Sequence, residues 1–363
     1  MTVDIGIIGL PKSGKTTVFN ALSGGKADTL SVAPNIGVAK VPETRLKVLA
    51  QMFGKKKIIP AEVRYIDIGA SAPGVTGKQL IASHLLNEVS KADALLGVVR
   101  SFTDDRIPHV SGSIDVGRDI ATLDLELAFS DLAIIERRLE RIDISLKAAK
   151  PQERQAMAKE QEMLGKVKSG LEKELPIRSM GLTPDELRAL SNYQFLSAKP
   201  LLIVVNIGEE QLPQAAKMET DLSARFSRPH CRLITLCGKL EMELSQLEEA
   251  DATKFRAEMG LKEPGLDRVI RQSYELLELI SFFTIGTDEV KAWSIPNGMP
   301  AVKAAGKVHS DMERGFIRAE VIDHHDLVRS GNMAEARRRG LLRLEGKNYV
   351  VKDGDVINFL FNV

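Results

Sequence analysis

Gly9-Leu10-Pro11-Lys12-Ser13-Gly14-Lys15-Thr16 sets two glycines, a lysine and a hydroxyl at the spacing G-x-x-x-x-G-K-[ST]. Residues of these types in this order do phosphate chemistry. The glycines let the backbone curl until several N–H groups face one anion, and a helix that starts there adds partial positive charge. In such a loop Lys15 reaches the β- and γ-phosphates and the Thr16 hydroxyl ligates Mg²⁺. Lys12, Ser13, Gly14 and Thr17 are the other expected nucleotide contacts of this segment. A Gly-rich turn alone would be weak evidence. Here Val3-Asp4-Ile5-Gly6-Ile7-Ile8 reads as a buried strand leading in, and Lys15–Leu22 as a helix leading out. The chain is expected to bind a nucleoside triphosphate.

Further residues complete that constellation. Asp67 closes the strand pattern Glu62–Asp67, the place where a carboxylate of such a sheet holds Mg²⁺ through its water shell. Lys15 and Asp67 are the candidate catalytic residues, and Thr16 and Asp67 candidate metal ligands. Asn206-Ile207-Gly208-Glu209 follows the apolar run Leu201–Val205. Guanine-specific sites carry N-K-x-D at this corner, with the Asp accepting hydrogen bonds from guanine N1–H and the 2-amino group. Here Ile207 stands at the Lys position and Glu209 at the Asp position. The longer side chain misses the bidentate contact, and a site built on hydrogen bonds discriminates strongly when they fail. Adenine, which lacks both donors, is favoured. Cys237-Gly238-Lys239 follows the last strand of this pattern, so Gly238 is expected beside the base.

The elements that must position these residues are legible in outline. Val3–Ile8, Glu62–Asp67, Ala94–Arg100, Leu201–Asn206 and Arg232–Leu236 have the length and apolar content of buried strands. Helical patterns between them predict an α/β fold, a doubly wound, mostly parallel P-loop sheet with its ligand at the strand C-termini. Leu125, Ala128, Leu132, Ile135, Leu139, Ile142 and Leu146 form a heptad stripe, and Met157, Leu164, Val167 and Leu171 continue it after Pro151. This predicts an inserted antiparallel α-helical hairpin, with a dimerising coiled-coil arm as the alternative. Thr183-Pro184-Asp185-Glu186 reads as a capping box. Past Ser281, Phe282–Ile285, Val290–Ser294, Gly315–Val321, Tyr349–Val351 and Val356–Phe361 read as strands of a small mixed domain, the last two joined by a turn at Lys352-Asp353-Gly354-Asp355.

Composition bounds the classes. The chain has 363 residues, 44% hydrophobic and 27% charged, with formal net charge +1. That suits two or three soluble globular domains. No apolar run reaches bilayer length and no signal-peptide pattern is present, so no membrane role is expected and the cytoplasm is. Cys231 and Cys237 give neither a disulfide framework nor a zinc spacing. Whole-molecule charge does not advertise nucleic-acid binding, although Arg337-Arg338-Arg339 is a local basic cluster able to meet RNA phosphates.

Taken together, several motifs resemble the Obg-like ATPase (YchF) family over nearly the whole chain. They are G-L-P-K-S-G-K-T, the N-x-x-E corner, and the tail segments Glu289-Val290-Lys291-Ala292-Trp293, Ala304–Asp311, Arg314–Val321 and Leu344–Asp355. The resemblance implies a nucleotide-binding domain at residues 1–124 and 197–280, a helical insertion at 125–196 and a β-grasp (TGS-like) domain at 281–363. It also implies ATP over GTP, slow Mg²⁺-dependent hydrolysis and ribosome or translation-factor association. Four positions depart from the family pattern. Lys12 replaces an Asn that in potassium-activated relatives helps hold a monovalent cation, so its ammonium either substitutes for that ion or points to solvent. Ser31 stands where the family's metal-sensing threonine would be, which makes it the third expected metal ligand. The D-x-x-G segment reads Asp67-Ile68-Gly69-Ala70, and Ser71 follows where many GTPases place a water-orienting Gln. The expected function is therefore an ATP-gated switch with weak ATPase activity. The alternatives are an Obg- or Era-type GTPase and a nucleotide-binding scaffold with negligible hydrolysis.

Overall fold

Strands covered on both faces carry apolar side chains at most positions, most completely in Ala94–Arg100 and Leu201–Asn206, and five largely buried strands build most of the first sheet. The computed structural model describes residues 3–25, 34–67, 86–148, 150–226 and 228–362. In chain order the first half contains β1 (Val3–Ile8), α1 (Lys15–Ser23), β2 (Asn35–Lys40), α2 (Thr44–Met52), β3 (Lys57–Ile59), β4 (Glu62–Asp67), α3 (Leu86–Lys91), β5 (Ala94–Arg100), α4 (Val116–Leu146) and α5 (Pro151–Leu171). Next come α6 (Pro184–Leu190), β6 (Leu201–Asn206), α7 (Ala215–Phe226), β7 (Cys231–Leu236), α8 (Gly238–Leu244), α9 (Glu249–Glu258) and α10 (Gly265–Leu276). The remainder is β8 (Leu279–Ile285), β9 (Glu289–Pro296), α11 (Ala301–Val308), α12 (Ser310–Arg314), β10 (Phe316–Asp323), α13 (His324–Ser330), α14 (Met333–Arg338), β11 (Arg343–Glu345) and β12 (Asp355–Phe361).

The first sheet has the order β2-β4-β1-β5-β6-β7. The pairs β1–β5, β5–β6 and β6–β7 are parallel and in continuous register. Chain direction through the sheet reverses at β1, with β4 on one side and β5 on the other, and ligands of open α/β sheets bind at such switch points. Ile8, Leu95, Leu201, Ile203 and Leu233 lie in the core that this sheet shares with Ile120, Leu123 and Leu127 of α4. The α/β P-loop architecture expected from the sequence is present.

Two antiparallel helices follow the sheet core. Ala128, Ile135 and Ile142, seven residues apart, are buried against Leu164, Val167 and Leu171. Their heptad spacing keeps one face of α4 on α5 for several turns, and Leu132, Leu139 and Leu146 flank the seam. The chain folds back on itself, as the break at Pro151 predicts. α4 begins at Val116, before the stripe first shows, where the Asp115 carboxylate accepts from Arg118 N. Buried aspartates fix the root of the pair. Asp131 accepts from the N–H groups of Leu196 and Ser197, each at 2.8 Å, and Asp124 pairs with Arg178 and Arg228. The capping box at Thr183 is formed with Glu186.

The second sheet is mixed, with the order β11-β10-β12-β8-β9-β3. The described residues divide into two compact units, Asp4–Gly37 with Tyr65–Leu266, and Met1–Val3 and Val38–Arg64 with Asp267–Val363. In the second unit β3 runs parallel to β9, so residues 38–64 join a sheet otherwise built from the C-terminal part. The hairpin expected across Lys352–Asp355 does not form. Tyr349–Val351 makes only an isolated bridge from Val350 to Pro300, because Tyr349 O accepts from Ala301 N and Val351 N donates to Met299 O. β12 pairs instead with β10, antiparallel, and with β8, parallel.

Candidate functional site

The loop after β1 turns on backbone conformations that few residues accept. Gly14 has φ 93°, and a Cβ there would collide with the Asn206 amide nitrogen. Gly14 is also the N-cap of α1 and supplies no side-chain acceptor, so the first N–H groups of that helix remain open toward the loop. Lys12 has φ 64° without being glycine, and its exposed ammonium has no acidic partner among the described residues. The left-handed region costs an ordinary side chain about 1 kcal/mol, and asparagine tolerates it best. Lys12→Asn is therefore expected to raise unfolding free energy by about 0.5 kcal/mol in a denaturant titration. An unchanged midpoint would mean that the loop relaxes without cost.

Lys15 is buried, and its ammonium donates to the carbonyls of Gly9 at 2.9 Å and Leu10 at 3.1 Å. Burial draws its pKa down to about 8, with the nearby Asp67 carboxylate opposing that shift. Asp67 ends β4 fully buried, and its Oδ2 accepts from the Thr16 hydroxyl at 3.3 Å. Its Oδ1 has no partner among the described residues, nor does the buried Ser13 hydroxyl. Burial pushes the Asp67 pKa up, while Lys15 and the Thr16 hydrogen bond hold it down.

Asn206, at the end of β6, joins the two halves of the site. Its Nδ2 donates to Ser13 O at 3.0 Å, and its Oδ1 accepts from Gly238 N at 3.0 Å. Beside it opens a cavity of about 590 Å³, bounded by Gly14, Thr17, Asn206, Glu209, Lys239 and Phe102. Ile207 also lines it, 2% exposed and packed into the sheet core. Glu209 opens a short 3-10 turn, and its carboxylate pairs with Lys239 at 3.0 Å.

The loop carrying Phe102 is a wall that the sequence reading missed. Arg100, 3% exposed, donates to the carbonyls of Phe102, Asp104 and Ile107 and lies 4.4 Å over the Phe102 ring. A charged residue ending an otherwise apolar, fully buried strand was the available signal. Among the expected site residues the fold brings together Ser13, Gly14, Lys15, Thr16, Thr17, Asp67, Asn206, Ile207, Glu209 and Gly238. Lys12 lies on the same loop. Ser31, Ala70 and Ser71 lie outside the described residues.

The ribosome-binding ATPase YchF of Bacillus subtilis is 39% identical to this chain over 370 residues, covering 100% of both. The chain belongs to the YchF family. The ribosome-binding ATPase YchF of Haemophilus ducreyi is 37% identical, with 99% of each chain covered. The solved structure of the Schizosaccharomyces pombe YchF GTPase superposes with a TM-score of 0.86 at 30% identity, over 99% of this chain and 98% of that one. Residues 4–130 match the family model described as 50S ribosome-binding GTPase. Residues 279–362 match YchF-GTPase_C, described as a protein of unknown function (DUF933). Among the described residues no group of three His, Cys, Asp or Glu side chains is placed to hold a metal, and no helix is long and apolar enough to cross a membrane.

Proposed function

We propose that this chain is an ATP-binding switch that hydrolyses ATP slowly with Mg²⁺ and acts on the ribosome, in the cytoplasm. The observation that carries the nucleotide reading is the Asn206 clamp, which ties the phosphate loop to the base-side loop around one cavity. Preference for adenine is supported by Glu209. Its carboxylate is paired with Lys239, so accepting guanine's donors would require leaving that partner with a side chain already one carbon too long. Ribosome association is supported by the names of relatives that span the full length of the chain.

The residues present fit a hard divalent cation. Among the described residues Asp67 Oδ1 is buried without a partner, and the Thr16 hydroxyl lies on the other carboxylate oxygen. Thr16 and Asp67 would hold Mg²⁺, with Ser31 as a third ligand by its position in the sequence. The ion, when bound, neutralises charge on the β- and γ-phosphates. Lys15 supplies the protein's own charge at the transferring phosphoryl group, and the open N–H groups of α1 orient the phosphates.

We assign residues 1–124 and 197–280 to nucleotide binding, 125–196 to a helical arm and 281–363 to a TGS-like β-grasp domain. The mixed sheet β11-β10-β12-β8-β9-β3 supports the last of these, with residues 38–64 adding β3 at its edge and grouping with the C-terminal unit. RNA contact through Arg337, Arg338 and Arg339 belongs to the same proposal. Arg337 pairs with Glu320, and Arg338 and Arg339 with Glu335, so phosphate would have to displace weak, solvent-screened ion pairs.

Calorimetry with Mg²⁺ tests the base assignment. The wild type is expected to bind ATP more tightly than GTP, and Glu209→Asp to shift the ratio toward GTP by about tenfold. Tighter GTP binding by the wild type would promote the GTPase reading. Binding of neither would leave a scaffold.

A further inference from the structure

The mixed sheet ends in two edge strands, β3 and β11. An open edge is a template for another strand, and folded chains guard such edges with lysine and proline. β3 is guarded by both. Lys55 and Lys56 lead into it, Lys57 begins it and Pro60 follows it, so two copies meeting there would bring like charges together. β11 has neither residue. It reads Arg343-Leu344-Glu345, and Leu344 is 58% exposed. The register shows what this edge offers. His324 N donates to Gly354 O at 3.1 Å, on the β12 side of β10. Alternation along β10 then turns the N–H and C=O of Arg318, Glu320 and Ile322 toward β12, and those of Ala319 and Val321 toward β11. Ala319 and Val321 stand opposite Glu345 and Arg343, whose backbone groups are therefore used within the sheet. The N–H and C=O of Leu344 point the other way, out of the edge, and neither makes a backbone bond outside the sheet among the described residues.

We propose that β11 pairs with β11 of a second copy of this chain, antiparallel about a two-fold axis through Leu344, joining two mixed sheets into one. The axis makes the edge self-complementary. Leu344 N–H of each copy donates to Leu344 O of the other, which closes the small ring of a hydrogen-bonded antiparallel pair. The two leucine side chains then lie side by side on one face of the joined sheet. On the other face Arg343 of each copy meets Glu345 of the other, and opposite charges directly across strands attract. Arg343 already lies 3.3 Å from Glu345 of its own strand, so pairing completes a ring of four alternating charges. Docking of β11 on β3 offers no such match. Its Arg343 would face the lysines of that edge, and a head-to-tail contact would have to close a ring or grow without limit. Three residues a side make a small interface, so the dimer is reversible and depends on concentration.

Sedimentation velocity of the full chain, from low to high micromolar concentration, reads the association. Wild type is expected to pass from monomer to dimer across the series. Arg343→Glu and Glu345→Arg should each weaken self-association by about tenfold or more, because like charges then meet twice across the axis. An equimolar mixture of these two variants should dimerise again at the wild-type concentration, since every facing pair in the mixed dimer is opposite in charge. Leu344→Pro removes only the outward N–H, which β10 does not use, and proline is accepted on an edge strand at such a position. It should abolish the dimer and leave the melting temperature within a few degrees of wild type. Arg343 also donates to the Tyr349 hydroxyl at 3.0 Å, so if Arg343→Glu melts early, Glu345→Arg and Leu344→Pro, which leave that bond in place, carry the test. Wild type that stays monomeric throughout would overturn the proposal. Dimers that survive Leu344→Pro, or well-folded single variants whose mixture fails to dimerise, would overturn it as well by placing the contact elsewhere.

Discussion

Lys15→Met will weaken ATP binding by about 100-fold or more while leaving thermal stability unchanged or slightly lowered. Two opposing terms set that outcome. Burial holds the folded-state pKa near 8, against 10.5 for a free lysine, a destabilisation on the order of 3 kcal/mol at neutral pH. The charged hydrogen bonds to Gly9 O and Leu10 O return about 1.5–3 kcal/mol each in gross terms, and methionine gives up both. The two nearly cancel for folding, but only the ammonium can meet a triphosphate.

The pH dependence follows with a definite sign. Between pH 8 and 10.5 the unfolded chain binds a proton at this lysine and the folded chain does not, so this group makes stability rise with pH across that window. Its cost is fully present below pH 8. ATP affinity runs the other way. Phosphate favours the charged lysine, so above pH 8 binding must be accompanied by proton uptake, and affinity falls by up to about tenfold per pH unit. Calorimetry at pH 8.5 in buffers of different ionisation enthalpy will detect the uptake. A large fall in melting temperature with ATP affinity retained would instead make Lys15 a structural peg of the loop.

How much of this was legible follows from burial. The strands at Val3–Ile8, Glu62–Asp67, Ala94–Arg100, Leu201–Asn206 and Cys231–Leu236 appear within a residue of their apolar runs, because strands covered on both faces need apolar side chains at nearly every position. β2 gave no such signal. Ile36 and Val38 are 60% and 44% exposed, so its hydrophobicity faces outward and a glycine interrupts it. β3 has three residues, too short for any period, and its pairing with β9 is a tertiary fact. The same holds for β12, whose partners β10 and β8 are distant in sequence. Tyr349–Val351 was unable to pair with it because its backbone groups were engaged by the turn before α11. At the site, motif spacing located the phosphate loop, Asp67 and the Asn206 corner. It did not locate the Phe102 wall, which is built from carbonyls gathered by one buried guanidinium and so leaves no side-chain pattern.

Asn206→Ala is the other substitution expected to have a large effect, and it acts on the whole site at once. The side chain is 4% exposed and serves one backbone acceptor and one backbone donor, Ser13 O and Gly238 N. Alanine leaves both buried groups unsatisfied, at about 1–3 kcal/mol each, so unfolding free energy should fall by about 2–6 kcal/mol. Asn206→Asp keeps an acceptor for Gly238 N but turns an oxygen toward Ser13 O, and no rotation of a carboxylate supplies the missing donor. It should therefore be no better than alanine. Water has little room to repair the gap, since the close approach that excludes a Cβ at Gly14 is this same contact. Because the clamp fixes the relation of the phosphate loop to the base-side loop without facing guanine or adenine donors, ATP and GTP affinity should fall by the same factor. Glu209→Asp should change their ratio. If Asn206→Ala also changed that ratio, its amide would be reading the base, and the separation between a residue that shapes the cavity and a residue that selects its occupant would fail.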